Sequence, residues 1–521
     1  MSKLKTILCL AFLVTFAGLL YMGLVRGQPD VRVTELKKQE SATQAFELSP
    51  ERGRFAHVVA LAETGQYALS QELADFVYPD VGWHKGRFYS FFAPGMSYMA
   101  VPFYLLGKPY GLAQVATFGF VAFISLCSLL LLFLIARQVF RLPRWSALLA
   151  ALVFGFGSTA LSYSLTLYQH HITVFCLLLI FYAAWRFRQS TTGGVLWASL
   201  VGLAYGLAVT VDYPNAVLLF PGVLYCGLGA ISYSTADAQV KIRVRAIILA
   251  SLVLFLSVTA LHGYHNFREF GSWKALSSSV VDYKVIKEQH LESLPVPEIE
   301  KAVAARQERK SNVANFFSET HLPNSFGTLL FSVDRGLLFY GPIFILGLLG
   351  LAWALRRVTP EIVVLGASLA VNVFLYSSWG DPWGGWAYGT RYLIPSMAIL
   401  SLFVAYLLTV GPRVWVWRLL SIPLFTYSAA VAMLGALTTN AVPPRVEADY
   451  LHSYYNFLHN LTFFFNGSSG SYFFNEYASR YVSLQDYGFI LFSMVLVVYV
   501  ALVLYGHIFS QKAYVHAQHS N

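Results

Sequence analysis

Glu51, Arg54 and His57 stand three residues apart, a spacing that puts side chains on one side of a helix. A carboxyl, a guanidinium and an imidazole on one side suit an acid aimed into a cavity and held by Arg54. The competing reading is an exposed Glu51–Arg54 pair, which contributes little. Asp75 and Asp80 follow, ahead of Trp83, Lys85, Gly86, Phe88 and Tyr89. The run DVGWHKGRFYS predicts a tight hairpin with Gly86 at its turn. Asp80 is then either a second acid for chemistry or the cap of that turn.

Three further clusters carry polar groups beside apolar runs. Tyr168, Gln169, His170 and His171 open one run, and a helix N-terminus with polar side chains suits an anion. The two histidines point in different directions, which makes them a poor metal pair; an interfacial His and Tyr belt is the alternative. Asp212, ahead of Tyr213 and Pro214, either faces a cavity or caps the next helix. Asp334, Arg335 and Gly336 open another run, and WGDPWGGWAYGTRY spans residues 379–392. Its glycines allow close backbone approach, and its tryptophans suit an interface or an apolar ligand tail. Arg391 is placed for phosphate by charge-assisted hydrogen bonds, the alternative being a pair with Asp381.

These groups need a scaffold, and the composition says which. The chain has 521 residues, 57% hydrophobic and only 12% charged. Its mean hydropathy is +0.57. A soluble domain carries about 25% charged residues. The apolar residues fall in blocks of roughly 18 to 25, each long enough to cross a bilayer. This predicts an all-α polytopic membrane protein, since a membrane β-barrel would show short alternating segments. The net charge of +10 comes from Lys and Arg beside those blocks, a topology signal that argues against a nucleic-acid partner. Cys9, Cys127, Cys176 and Cys226 all lie in apolar blocks, without metal or redox spacing. No metal site and no cofactor is indicated.

Alternation of the blocks with their basic flanks predicts about twelve spans, with both termini cytoplasmic. Residues 1–25 form the first span. Residues 51–63 predict a helix lying along the membrane surface, ended by Gly65. Residues 96–106 are too short to span with certainty and are read as interfacial or re-entrant, which keeps Arg137, Arg141 and Arg144 inside. The polar residues then gather on the outer face. Two regions result: residues 1–437, with outer loops at 26–112 and 265–328, and residues 438–521, with an outer aromatic loop, the last span and a short tail. No convincing internal repeat, the pointer to a secondary transporter, is evident.

The first-loop pattern ERGRFAHVVALAETGQY, followed by Asp80, KGRFYS and APGMSYMAVPFYLLG, resembles the first periplasmic loop of GT-C fold glycosyltransferases. The resemblance is to bacterial relatives of protein O-mannosyltransferases and lipid A aminoarabinose transferases. WGGWAYGTRYLIP is similar to a segment of uncharacterised bacterial members. The resemblance implies a GT-C-like bundle with interfacial helices in the first outer loop. It also implies an inner-membrane enzyme using a polyprenyl-phosphate-linked sugar at the outer face. A carboxylate would act as base on an acceptor hydroxyl, with inversion. Glu51 falls where the family's catalytic acid precedes Arg and an aromatic. The family usually has Asp there, often followed by another acid, whereas Arg52 follows Glu51, and Asp80 stays beside it as a catalytic candidate. By the same analogy His170, Arg335 and Arg391 would hold donor phosphate. Arg54, Tyr89, His171 and Trp383 complete the expected substrate-binding set. The implied partners are the lipid-linked sugar, the bilayer and an acceptor whose kind the sequence leaves open. The rival function is a transporter or flippase of a lipid-linked saccharide, which would use the same cations and aromatics without a catalytic acid.

Overall fold

A computed structural model describes residues 2–39, 41–190, 193–236, 239–244, 246–310 and 317–519. The chain is mostly helical, a multi-pass membrane protein. Among the described residues nine helices are long and apolar enough to cross a membrane, from Lys3–Leu24 to Leu484–Ile508. Three further expected spans are shorter or interrupted, and the cause is local. Arg144–Phe156 stops at Gly157 before the chain resumes at Ala160–Tyr163. Asn215–Leu218 gives way to Phe220–Gly229, which carries Pro221 in its first turn. Leu337–Tyr340 and Ile343–Ala354 are separated by Gly341 and Pro342. Proline lacks the N–H that a continuous helix requires, whereas a hydropathy window passes straight over it.

The first long loop folds as its residues dictate. The Ser49–Thr64 helix has Pro50 in its opening turn and Glu51 as its third residue. It ends at Gly65, whose φ of +67° is the left-handed conformation glycine tolerates. Glu51 through Ala60 are all buried, so this helix is covered on every side. One cause is Gly53, where a Cβ would sit 2.6 Å from the Phe92 ring. Only a bare backbone lets the corner that follows the hairpin close over the helix. The hairpin is present: Val81–His84 pairs antiparallel with Arg87–Ser90 around Lys85 and Gly86. Both turn residues have positive φ, +49° and +77°, the geometry of a two-residue hairpin turn. A third strand, Val281–Asp282, adds to the far edge and ties the 265–328 loop onto the first one. Gly95–Gly107 forms a short helix packed on Ser49–Thr64 and Ala113–Gln138.

A buried ion pair staples the first loop to the loop after Val414–Leu437. Arg26 Nη1 lies 2.5 Å from Glu47 Oε2, both side chains fully buried. Arg26 also donates to the carbonyls of Gly435 and Thr438. Glu47 accepts from the amides of Thr43 and Asn440. Breaking a buried pair from one side strands a charge, at a cost of about 3–5 kcal/mol. Arg26→Met is therefore expected to lower unfolding stability by that order in a denaturant titration of the solubilised chain. The double variant R26M/E47Q should recover part of the loss, and an unshifted R26M midpoint would contradict this role.

Candidate functional site

The helix starts and the first loop meet at one place. Arg54 donates from Nη1 to the Leu167 carbonyl at 3.0 Å and from Nη2 to Gln169 Oε1 at 2.6 Å. Gln169 in turn donates to Asp212 Oδ2 at 3.2 Å. The Arg54 guanidinium lies 4.9 Å from the Phe92 ring centre and 5.8 Å from that of Tyr168. Arg391 approaches the same Tyr168 ring at 5.1 Å, and the ring of Tyr392 at 5.5 Å. Tyr168 lies parallel to His170 at 6.1 Å, and His170 meets Tyr392 edge-on at 6.2 Å. Two arginines, a histidine and two tyrosines from three separate chain segments thus meet in one cluster. Gln169, Asp212, Arg391 and Tyr392 keep partial exposure.

What distinguishes this cluster is what it leaves unsatisfied. Arg54 Nε, Tyr168 Oη, His170 Nε2 and Arg391 Nε are buried and have no hydrogen-bond partner. Neither Arg54 nor Arg391 has a carboxylate within ion-pair distance among the described residues. Buried polar atoms are normally paired, so a group of them in one place marks somewhere a ligand or water belongs. Burial pulls the Arg54 guanidinium down to about 10, which still leaves it charged at neutral pH. Burial pushes the Tyr168 phenol up, so it stays an O–H donor. The set therefore offers hydrogen-bond donors and positive charge to an oxyanion.

The loop around Arg391 is built to leave that side chain free. Asp381 accepts from the amides of Gly384 and Gly385 at 3.1 and 2.8 Å, and forms no pair with Arg391. Gly384 has a φ of +70°, and a Cβ there would sit 2.9 Å from Arg391 Nε. Trp383 donates to Asp334 Oδ2 at 2.9 Å and is partly exposed.

The expected site residues separate into those at the cluster and those elsewhere. Arg54, His170 and Arg391 meet in it. Arg335 lies beside it, fully buried, with its N–H groups directed to the carbonyls of Trp383, Asp334, Tyr455, Gly385 and Val442. It knots three loops and has no donor left for phosphate. His171 turns away, its Nε2 2.7 Å from the Ala160 carbonyl. Tyr89 packs on Phe270 and donates to Glu269 at 3.3 Å. Asp75 is half-buried and pairs with Lys287.

The two candidate acids differ in their surroundings. Glu51 is fully buried, and its Oε2 accepts from the amides of Glu47 and Leu48 at 3.1 and 3.2 Å. It caps its own helix, and Arg54 does not hold it. Its Oε1 is buried without a partner. Asp80 is half-buried, accepts from the Ser49 hydroxyl and feels the Arg52 guanidinium, which also feels Tyr168. Arg26 and Glu47 were not anticipated, because an Arg closing an apolar run reads as a topology flank.

Burial and the neighbouring Glu47 push the Glu51 carboxyl from 4.5 up to about 8. The folded chain then keeps a proton that the unfolded chain releases, so this group's contribution to stability falls as pH rises from 4.5 towards 8. Glu51→Gln retains a neutral side chain at every pH. Its thermal unfolding temperature is expected to decline less than that of the wild type across this window. Equal slopes for the two proteins would show that Glu51 does not titrate in this way.

No family model and no curated protein matches the chain. Among solved structures it is similar to the archaeal oligosaccharyltransferase AglB from Archaeoglobus fulgidus, in complex with an inhibitory peptide and a dolichol-phosphate. That likeness has 13% identity, a TM-score of 0.45, and covers 86% of this chain and 58% of the other. The arabinofuranosyltransferase AftD from Mycobacteria gives 14% identity and 0.44, over 85% of this chain and 30% of that one. ArnT from Cupriavidus metallidurans, in the apo state, gives 14% and 0.39, over 95% and 76%. The chain thus spans under two thirds of the length of AglB. With TM-scores no higher than 0.45, the chemistry of the site rests on its own residues.

Proposed function

We propose that this chain is a GT-C class glycosyltransferase of the cell inner membrane, with both termini cytoplasmic. It moves a sugar from a polyprenyl-phosphate donor to an acceptor hydroxyl on the periplasmic face, with inversion. One observation carries the reading: buried, unpaired donors on Arg54, Tyr168, His170 and Arg391 converge without a carboxylate to neutralise the two arginines. Such a set stabilises the negative charge that grows on a departing lipid phosphate.

Direct displacement needs a base within reach of the acceptor hydroxyl. Asp80 fits this role better than Glu51. It is partly exposed beside the cluster, whereas both amides at the start of the Ser49–Thr64 helix occupy one oxygen of Glu51. Glu51 then acts as a positioning residue, fixing the helix that presents Arg54. The test is transfer of radiolabelled sugar from polyprenyl phosphate donors by the purified full chain. Labelled product at a rate that depends on Arg391 and Asp80 supports the reading. Movement of intact lipid-linked sugar across vesicles, without transfer, would favour the flippase.

A further inference from the structure

A hollow lies beside the Gly95–Gly107 helix, lined by Gly95, Tyr98 and Met99. It measures about 870 Å³ and sits between the ends of Gly194–Val211 and Ile248–Phe270, under the first loop. The sequence explains why it opens there. A Cβ on Gly202 would lie 1.9 Å from the Ser251 carbonyl, and one on Gly206 would lie 3.0 Å from Val258. At Gly202 the two helices touch backbone to backbone, and at Gly206 the Val258 side chain fills the space a Cβ would take. Beyond them come Leu207 and Thr210, which line the hollow.

The walls of this hollow are divided by chemistry. Met99, Leu207, Val258 and Leu261 make one part apolar. Leu261 is largely exposed, and only 11% of the apolar stretch of Ile248–Phe270 is buried, so this part adjoins the hydrocarbon. Arg87, Arg268, His262 and His265 line the opposite part, together with Glu269, which accepts from the Tyr89 hydroxyl. Neither arginine forms an ion pair among the described residues. His265 Nε2 is buried without a partner, its ring 4.2 Å from that of Tyr67. An apolar slot that meets lipid at one end and cations at the other suits an amphipathic anion.

The hollow also adjoins the polar cluster. Thr210 lines it two residues before Asp212. Ser97, on the helix forming its inner wall, donates to the Arg54 carbonyl at 3.2 Å. Yet Arg54 and Arg391 do not line it. The arginines of this hollow are therefore a different set from those of the cluster.

We infer that this hollow receives the acceptor, and that the acceptor is a membrane lipid with an anionic, hydroxyl-bearing head. The lipid enters sideways from the bilayer, with its tail along Leu207 and Leu261 and its head at Arg87 and Arg268. Calling it the acceptor rests on the transferase reading; its binding does not. The test is photolabelling of the full chain in nanodiscs, read by peptide mass spectrometry. Diazirine-bearing phosphatidylglycerol supplies an anionic head with free hydroxyls. Phosphatidylcholine and an isoprenyl phosphate with the same diazirine are the other arms. Phosphatidylglycerol should label Gly194–Val211 and Ile248–Phe270. Labelling should fall at least tenfold in R87A/R268A, whose substituted residues are exposed. Leu207→Trp, which fills the slot, should block it as well. Preferential labelling by the isoprenyl phosphate would assign the hollow to the carrier, and equal labelling by phosphatidylcholine would make it a passive lipid contact. Either result overturns the inference, as does an unchanged double variant. Labelling without any sugar transfer would instead count against the transferase reading alone.

Discussion

Asp80→Asn is expected to lower turnover on the order of 10²–10⁴-fold, the contribution usual for a positioned base. KM for the donor should hold. Asparagine keeps the volume of Asp80, and its amide oxygen still accepts from the Ser49 hydroxyl, so the hairpin that follows should fold as before. What the variant loses is the ability to take a proton. Glu51→Gln supplies the contrast. Burial already favours the neutral form of Glu51, so a neutral amide changes little there at pH 7. Turnover is measured with radiolabelled donor and both variants side by side. Wild-type turnover in D80N, with loss in E51Q, would reverse the assignment. Wild-type turnover in both would remove the carboxylate base altogether.

The contrast also shows which parts of the site the sequence could reveal. The helix over residues 51–63 and its end at Gly65 were legible, because apolar periodicity and a C-terminal glycine are local signals. So was the hairpin around Lys85 and Gly86. The partner of Glu51 was not. A capping box announces itself by Ser or Thr at its first position, and here that position is Leu48. The expected Glu51–Arg54 pair therefore gave way to a carboxylate turned back on its own helix start. The depth of that helix was also hidden. Part of its cover comes from Leu167 and Gln169, over a hundred positions away in sequence. Tyr168, Gln169 and His170 were readable as an anion-friendly helix start. Their meeting with Arg391 depends on how two distant spans pack. Arg335 shows the opposite failure: the family resemblance implied phosphate, but five carbonyls claim it.

Arg391→Ala is expected to cost on the order of 10²–10³-fold in kcat, about 2.7–4 kcal/mol, the usual effect of deleting one preorganised donor at developing charge. The loss should fall mainly on kcat, because the negative charge on the departing phosphate grows in the transition state. Arg391→Lys should restore only part. An ammonium cannot lie flat against Tyr168 and Tyr392 while presenting a planar fork of donors. Stability separates this role from a structural one. Arg54 is anchored to the Leu167 carbonyl and Gln169, so its removal would also loosen the helix start. Arg391 packs on the rings of Tyr168 and Tyr392 and beside Gly384, with Tyr392 as its hydrogen-bond partner. R391A should therefore unfold at the wild-type temperature while turning over far more slowly. A protein that loses activity and melting temperature together would place Arg391 among the supports of the fold. Retention of both would leave the unpaired donors around Tyr168 with no role in transfer.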